Sequence, residues 1–518
     1  MNQRPPDSAN HKTPRVAIGV LVALVAAKLL LHLAAIGQYG YFRDELYYLA
    51  STEHLDWGYV DHPPFSIAVL AVVRALLGDS LPALRIVPAL AGVATVVFTG
   101  LIARELGGRG FALGLAALAA VLSPVFLGTG RYYSMNAFEL LFWPLATWLV
   151  LRALAADRKR EWILLGIVCG LGLLNKISMI WFLGGLGAGL LLTPYRRVLR
   201  GPWPWVAIGL AGLFFLPHVV WQIGHGWPTL EFMRNAASHK MVRPTVIGFL
   251  GDQILYMNVG AVPVWIAGIL YGAFSRDSGK GRILVGLYLA VLALLLVAGS
   301  ARASYLAPAY CGLLALGGIA IERWTRTHAR VVLRAMAVVL VVAGGVLSAP
   351  LALPLLPAET YVRYQAALGL APRTEERHEM GALPQHFADM FGWEEMTALV
   401  AEAYRRLTPE EQVRCRIFGQ NYGEAGAIDV LGRRLGLPHA LSGHNSYWLW
   451  GPGEGECDVL IIIGGDREDN AELFEDIEIV GQTQSRWSMP YERGLDVSIA
   501  RKPRVDLRGA WPRLKHYN

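Results

Sequence analysis

Between positions 41 and 65 the chain reads Tyr-Phe-Arg-Asp-Glu-Leu-Tyr-Tyr at 41–48 and Asp-Trp-Gly-Tyr-Val-Asp-His-Pro-Pro-Phe at 56–65. Asp44 and Glu45 are the first groups to consider. A carboxylate within hydrogen-bond reach of an incoming hydroxyl or amine can take its proton, and the neighbouring Arg43 can hold an anion through charge-assisted hydrogen bonds. A plain alternative is that the acid pair solvates a loop and complements a helix N-terminus. The flanking Arg43, Tyr47 and Tyr48, with Asp61 and His62 further on, favour chemistry over solvation. Asp61 and His62 could coordinate a divalent cation or contact a phosphate. Two adjacent side chains cannot complete a metal site, so further ligands would have to come from residues such as His218, His225 or His239. Without them, Asp61 and His62 belong to a polar loop in which Pro63-Pro64 fixes an extended turn.

Three more cations, Arg131, Lys176 and Arg302, fall at the ends of apolar runs. Charges beside a bilayer are costly unless they reach the headgroups or serve a site. A lipid-linked phosphate would give them a site; snorkelling to headgroups is the alternative. The chemistry suggested is proton abstraction and anion handling at a membrane surface.

The elements that must position these groups are mostly apolar. The 518 residues are 54% hydrophobic and 17% charged, with a mean hydropathy of +0.39. Soluble domains carry about a quarter charged residues, so the sequence describes a polytopic α-helical membrane protein. The net charge of +7 is spread over short clusters and not pooled in one patch, which excludes nucleic acid as the partner. Those clusters (Arg4/Lys12/Arg15, Arg104/Arg109, Arg152/Arg158/Lys159/Arg160, Arg196/Arg197/Arg200, Arg276/Lys280/Arg282 and Arg323/Arg326/Arg330/Arg334) occupy alternate loops. By the positive-inside rule they and the N-terminus face the cytoplasm.

Crossings are expected near 16–36, 81–103, 110–128, 137–154, 161–174, 177–193, 203–222, 254–274, 282–299, 304–321 and 331–350, about eleven in all, several of them approaching the roughly 20 residues a bilayer requires. An odd number puts the C-terminal segment on the exported side together with the loop at 37–80. The first segment reads as an uncleaved anchor, with a cleaved signal peptide as the alternative. The run Phe65–Leu77, between Pro63-Pro64 and Gly78, is too short to span and is expected to lie in the membrane plane with Arg74 at headgroup level.

Beyond about residue 350 Glu, Asp, Arg and Gln become frequent, and residues 351–518 read as an exported α/β domain following a transmembrane domain at 1–350. Helices are expected at Trp393–Leu407 and Tyr422–Leu435, and strands at Arg416–Phe418, Val459–Ile463, Ile477–Val480 and Leu495–Ile499. Cys169 and Cys311 fall in apolar spans. Cys415 and Cys457 lie in the exported segment, where a disulfide is permitted.

Taken together, these residues resemble the GT-C glycosyltransferases of family 39, the family of protein O-mannosyltransferases and of the aminoarabinose transferases that modify lipid A. The resemblance is carried by Arg43-Asp44-Glu45 behind the first span, Asp61-His62-Pro63-Pro64-Phe65, Leu81–Arg85 opening the next span, and Tyr305-Leu-Ala-Pro-Ala-Tyr310. Three C-terminal stretches, 383–393, 421–429 and 442–452, look like a bacterial subgroup. The resemblance implies a donor of one sugar on a polyprenyl phosphate, transferred with inversion on the exported face to a lipid, glycan or protein acceptor.

Carried onto this chain, Asp44 is the base and Glu45 assists its orientation. Arg43, Arg131, Lys176 and Arg302 are candidates for the donor phosphate, and Tyr48, Asp61, His62, Tyr132 and Tyr305 for substrate. Asp61 and His62 are also the candidates for a divalent cation, and no other cofactor is implied. Relatives often have Lys where His62 and Arg302 stand, which leaves the phosphate contacts less secure than Asp44. Two readings from other classes compete: a transporter or lipid flippase, which Lys28 and His32 within the first span would suit, and a non-catalytic subunit. An oligosaccharyltransferase is disfavoured, since the C-terminal segment carries no Trp-Trp-Asp-type motif.

Overall fold

The computed structural model describes residues 15–155, 159–299, 301–326, 331–455 and 457–518. Arg4, Lys12, Arg158 and Arg330 of the basic clusters lie outside the described residues. The apolar runs become helices close to the expected bounds: α1 (Arg15–Ala35), α2 (Arg43–Ser51), α3 (Phe65–Leu77), α4 (Leu81–Glu105), α5 (Gly110–Val121), α6 (Pro124–Thr129), α7 (Met135–Ala153), α8 (Lys159–Asn175), α9 (Met179–Leu191) and α10 (Trp203–Gly224). After α11 (Pro228–Asn235) come α12 (Val246–Tyr256), α13 (Val262–Phe274), α14 (Gly281–Ala298), α15 (Tyr310–Trp324) and α16 (Val331–Ala352). The short α3 has the predicted ends.

Among the described residues six helices are long and apolar enough to cross a membrane, or seven if one bent pair counts as a span. The chain is therefore an integral membrane protein. The figure of about eleven crossings is not established by these lengths, because α5 and α9 are shorter apolar helices and neither α7 nor α8 meets the combined length and apolarity of a span.

Two expected spans are broken. The run 254–274 is two helices bent by 94°, with Asn258 between them at a φ of 74°. The run 110–128 breaks at Leu122 and restarts at Pro124. The two breaks meet: the Asn258 side-chain amide donates to the Leu122 carbonyl (3.2 Å) and to the Val341 carbonyl of α16 (2.9 Å), and its Oδ1 accepts from the Gly260 N–H (2.9 Å). A backbone carbonyl freed inside a membrane must find a partner, and Asn258, itself buried, supplies it.

Beyond α16 the chain forms α17 (Ala358–Ala367), α18 (Gln385–Ala388), α19 (Trp393–Arg405), α20 (Pro409–Arg414) and α21 (Tyr422–Leu431), with strands β1 (Cys415–Gly419), β2 (Ala440–Leu441), β3 (Val459–Ile463), β4 (Phe474–Gln482) and β5 (Asp496–Pro503). The sheet order is β2-β1-β3-β5-β4; β1 runs parallel to β2 and β3, and β5 antiparallel to β3 and β4. Central β3 is Val-Leu-Ile-Ile-Ile, buried along its whole length, as a strand covered on both faces should be.

The permitted disulfide does not form; all four cysteines are free. Cys415 faces the core that includes Val400 and Ile428, whereas Cys457 packs with Leu460 and Trp511 in a separate cluster, so the two thiols serve different packing layers.

Close packing of α13 on α15 depends on two glycines. A Cβ on Gly317 would come within 1.9 Å of the Val264 carbonyl oxygen, and one on Gly268 within 2.1 Å of the Leu313 carbonyl oxygen. Small residues at such crossings let backbones approach where lipid supplies no hydrophobic drive. Gly317→Ala should cost roughly 1–3 kcal/mol through overpacking, read as a lower thermal unfolding midpoint in detergent. Gly184→Ala, with nothing within 4 Å of its new Cβ, is the control that should not move it.

Candidate active site

The first turn of α2 is built on Glu45. Its carboxylate is fully buried and accepts from the backbone N–H of Phe42 (2.9 Å) and of Tyr133 (2.9 Å) and from Arg85 Nε (3.1 Å) and Nη2 (2.8 Å). The Arg85 guanidinium also donates to the carbonyls of Ile36, Gln38 and Gly40 at 3.2, 3.1 and 2.7 Å. One ion pair thus ties the end of α1, the start of α2, the top of α4 and the α6–α7 connection. Glu45 has no free oxygen for a substrate. Its bidentate pairing with Arg85 instead fixes the first turn of α2, beside Asp44.

Successive helix residues point about 100° apart, so Asp44 faces elsewhere. Its side chain is 33% exposed and lies 3.8 Å from Arg43 Nε. Its Oδ1 accepts from the Tyr422 hydroxyl at 3.0 Å. Tyr422 opens α21, which lies against α2 so closely that a Cβ on Gly426 would meet the Leu46 carbonyl carbon at 2.9 Å.

Cations gather beside Asp44 around one acid that sequence reasoning did not single out. Glu376 accepts from Arg302 Nη2 at 2.7 Å and from Gln385 Nε2 at 3.0 Å. Lys240 Nζ is 3.8 Å away, Arg43 Nη2 3.9 Å and His378 Nε2 3.5 Å. Burial alone would raise the Glu376 carboxyl, but hydrogen bonding with His378 and the charges of Lys240, Arg43 and Arg302 hold it well below the usual carboxylate range. Burial lowers the Lys240 ammonium against the pull of Glu376. Arg43 also donates to the Tyr491 hydroxyl (2.8 Å) and lies 3.9 Å from Asp389. Burial pushes Asp389 up to about 6 even with Arg43 beside it.

The remaining predicted residues are distributed as follows. Arg131 donates to the carbonyls of Ala352 and His386, both at 2.6 Å, with its guanidinium over Phe387. Lys176 donates to Asn136 Oδ1 (2.8 Å) and Glu139 Oε2 (2.6 Å), and its ammonium lies 4.5 Å from the centre of the Tyr305 ring. Tyr132 packs on Phe42, with ring centres 4.5 Å apart. Asp61 Oδ1 accepts from the Tyr47 hydroxyl (2.9 Å) and lies 4.0 Å from His62 Nε2. His62 is buried between Tyr48 and Tyr59, with ring centres 4.7 and 4.8 Å away.

The expected metal ligand set does not assemble. Among the described residues no group of three His, Cys, Asp or Glu side chains could hold a metal ion. His218 Nδ1 is 2.9 Å from the Trp57 carbonyl and His225 Nδ1 2.8 Å from the Trp221 carbonyl.

The structure therefore joins Arg43, Asp44 and Arg302 in one cluster and leaves Arg131 and Lys176 with partners of their own. Lys240, Glu376, Asp389 and Tyr422 complete the cluster without having been singled out as site residues. No local motif marks Lys240 or Glu376, whereas Asp389 and Tyr422 lie in the 383–393 and 421–429 stretches noted for their subgroup pattern.

Two outcomes follow for stability. Glu45→Gln leaves the Arg85 charge buried without its counterion and should cost about 3–5 kcal/mol; thermal unfolding in detergent measures it, and Glu45→Gln with Arg85→Gln should recover part of the loss. Asp389 carries a pH signature. A carboxyl whose folded value lies above its unfolded one, about 3.9 for Asp, stabilises the fold below that value and loses the contribution as pH rises through about 6. Wild type should lose on the order of 3 kcal/mol from this group between pH 4 and 7, and Asp389→Asn should not, so unfolding midpoints of the two across that range should converge or cross.

Known proteins share this architecture. Residues 61–221 match the family described as dolichyl-phosphate-mannose-protein mannosyltransferase. Over 234 residues, 43% of this chain, it is 26% identical to undecaprenyl phosphate-alpha-4-amino-4-deoxy-L-arabinose arabinosyl transferase 2 of Pseudomonas fluorescens (strain Pf0-1), and the match spans 40% of that relative's length. The crystal structure of ArnT from Cupriavidus metallidurans in the apo state superposes with a TM-score of 0.62 at 16% identity, covering 93% of this chain and 98% of that one. The same protein bound to undecaprenyl phosphate gives 0.60 at 15% identity, again covering 93% and 98%. The archaeal oligosaccharyltransferase AglB from Archaeoglobus fulgidus, in complex with an inhibitory peptide and a dolichol-phosphate, gives 0.52 at 13% identity, covering 86% and 69%. At these identities the structural likeness shows the fold. The chain thus shares its fold with ArnT and AglB, and its residues 61–221 are similar to the mannosyltransferase family.

Proposed function

We propose that the protein moves a single sugar from a polyprenyl-phosphate donor to an acceptor on the extracytoplasmic face, with inversion and with Asp44 as general base. The observation that carries this reading is the half-open Asp44 carboxylate beside three cations, Arg43, Lys240 and Arg302, gathered around Glu376, with Asp389 near Arg43 and Glu375 near Arg302. In this reading the acceptor hydroxyl oxygen attacks the anomeric carbon as its proton passes to Asp44. The bond from that carbon to the phosphate oxygen breaks, and the electron pair leaves with the polyprenyl phosphate. A phosphate departs without being protonated, so one carboxylate suffices, unlike the acid and base pair of inverting hydrolases. The cations would neutralise the charge that grows on the leaving oxygen.

The names of the relatives support a lipid-linked donor: one is an undecaprenyl-phosphate aminoarabinose transferase, and an ArnT structure holds undecaprenyl phosphate. Lipid, glycan and protein acceptors all suit the open side of Asp44. The basic clusters support a cytoplasmic N-terminus, with a transmembrane domain at 1–350 and an exported domain at 351–518. Of the two residues that suit a transporter, Lys28 donates to the Phe126 carbonyl at 2.9 Å and so satisfies a helix end.

Purified wild type, Asp44→Asn and Arg302→Ala should be incubated with radiolabelled polyprenyl-phosphate sugars and an envelope fraction. Asp44→Asn should lose transfer by roughly 10²- to 10⁴-fold while remaining folded, and Arg302→Ala should chiefly weaken donor binding. Transfer at the wild-type rate by a folded Asp44→Asn protein would remove Asp44 as the base.

A further inference from the structure

The bond between Tyr422 and Asp44 joins residues 378 positions apart, and the surrounding packing serves to aim it. Tyr422 is the first residue of α21, which is capped by Asn421, whose Oδ1 accepts from the N–H groups of Gly423 (2.8 Å) and Glu424 (3.1 Å). That cap fixes where the helix begins and therefore where the ring projects. The ring lies 4.8 Å from Tyr47 and 4.7 Å from His444, centre to centre, with the Arg43 guanidinium 5.3 Å from its centroid. Its backbone N–H donates to His444 Nδ1 at 3.4 Å. Glycine at 423 lets Arg43 lie against the helix, since a Cβ there would meet Arg43 Cγ at 2.5 Å. Tyr422 is thus 6% exposed while its partner carboxylate stays open.

We propose that Tyr422 is a positioning residue for the Asp44 base: its hydroxyl engages Oδ1, turns the carboxylate and leaves Oδ2 for the acceptor's proton, so that the C-terminal region completes the active site of the helical region. The proposal rests on the reading of Asp44 as base. The charged and titratable groups that face Asp44 are Arg43, Tyr48, Tyr132, Lys240, Asp389 and Tyr422. Among the described residues Tyr422 is the one whose side-chain hydrogen bond to Asp44 is formed. Removing this donor loosens the rotamer and takes away a hydrogen bond that the ionised carboxylate accepts. A tyrosine that merely filled space would do neither once replaced by phenylalanine.

The test compares wild type, Asp44→Asn, Tyr422→Phe and a protein with 3-fluorotyrosine at position 422. Each is assayed for transfer from an undecaprenyl-phosphate-linked sugar that the wild type uses, across pH 5 to 9. For Tyr422→Phe the expected result is a fall in kcat of about tenfold or more, a donor KM within about twofold, and an acidic limb shifted upward by roughly half to one pH unit. The fluorinated residue keeps the ring and is a stronger donor, so the limb should move the other way, which preserves the test if Tyr422→Phe folds poorly. Loss of transfer in Asp44→Asn with wild-type kcat and an unmoved limb in both Tyr422 proteins overturns the positioning role and leaves the base intact. Undiminished transfer in Asp44→Asn overturns the base, and this proposal with it.

Discussion

The buried pair of Glu45 and Arg85 is the constraint on which the site depends. An ion pair withdrawn from water gains little net stability by itself, because desolvation offsets much of the attraction. Its value here lies in geometry. Each partner has its remaining hydrogen-bonding capacity filled by backbone groups, from Phe42 and Tyr133 for Glu45 and from the 36–40 segment for Arg85, so the pair measures the spacing of α1, α2, α4 and the start of α7 at once. Asp44 is aimed because the residue after it cannot move. The glutamate beside the proposed base is inert for the same reason that the base is well placed.

Around that fixed point the charge distribution is graded. Glu45 is saturated, Glu376 is shared among several cations, and Asp44 is partly open with a single phenol on one oxygen. Carboxylates of the same chemical type thus perform separate tasks, set by how many donors reach each one. Asp389 carries the cost of this crowding: burial outweighs its arginine and leaves it readily protonated.

Much of the architecture was legible in the sequence because it follows from local pattern. The apolar runs gave helices with nearly the expected ends, Pro63-Pro64 and Gly78 bounded α3, and the unbroken aliphatic run at 459–463 marked the central strand. The tiny strand at Ala440–Leu441 left no such pattern, being two residues long. The breaks at Leu122 and Asn258 were missed because hydropathy is blind to an asparagine whose partners lie on other helices. Asp44 and Glu45 drew attention as a pair from their setting behind the first span; helical rotation and a partner on α4 give them different surroundings. Lys240, Glu376 and Tyr422 became site residues only through contacts across large sequence separations, which single-residue types cannot reveal. The cysteines show the converse: an exported location would permit a bridge between Cys415 and Cys457, but the two pack in different layers.

The joint at Asn258 bears on how the chain is made. The Leu122 carbonyl is released by the break between α5 and α6, yet the amide that satisfies it lies 136 residues downstream. During synthesis that carbonyl enters the bilayer long before its partner has left the ribosome. Until then water, a lipid headgroup or the insertion machinery must stand in for Asn258. The corner where the two interrupted helices meet is therefore a late closure in biogenesis, and a lesion at Asn258 would be felt first as a fault in membrane assembly and turnover, upstream of any effect at the Asp44 cluster.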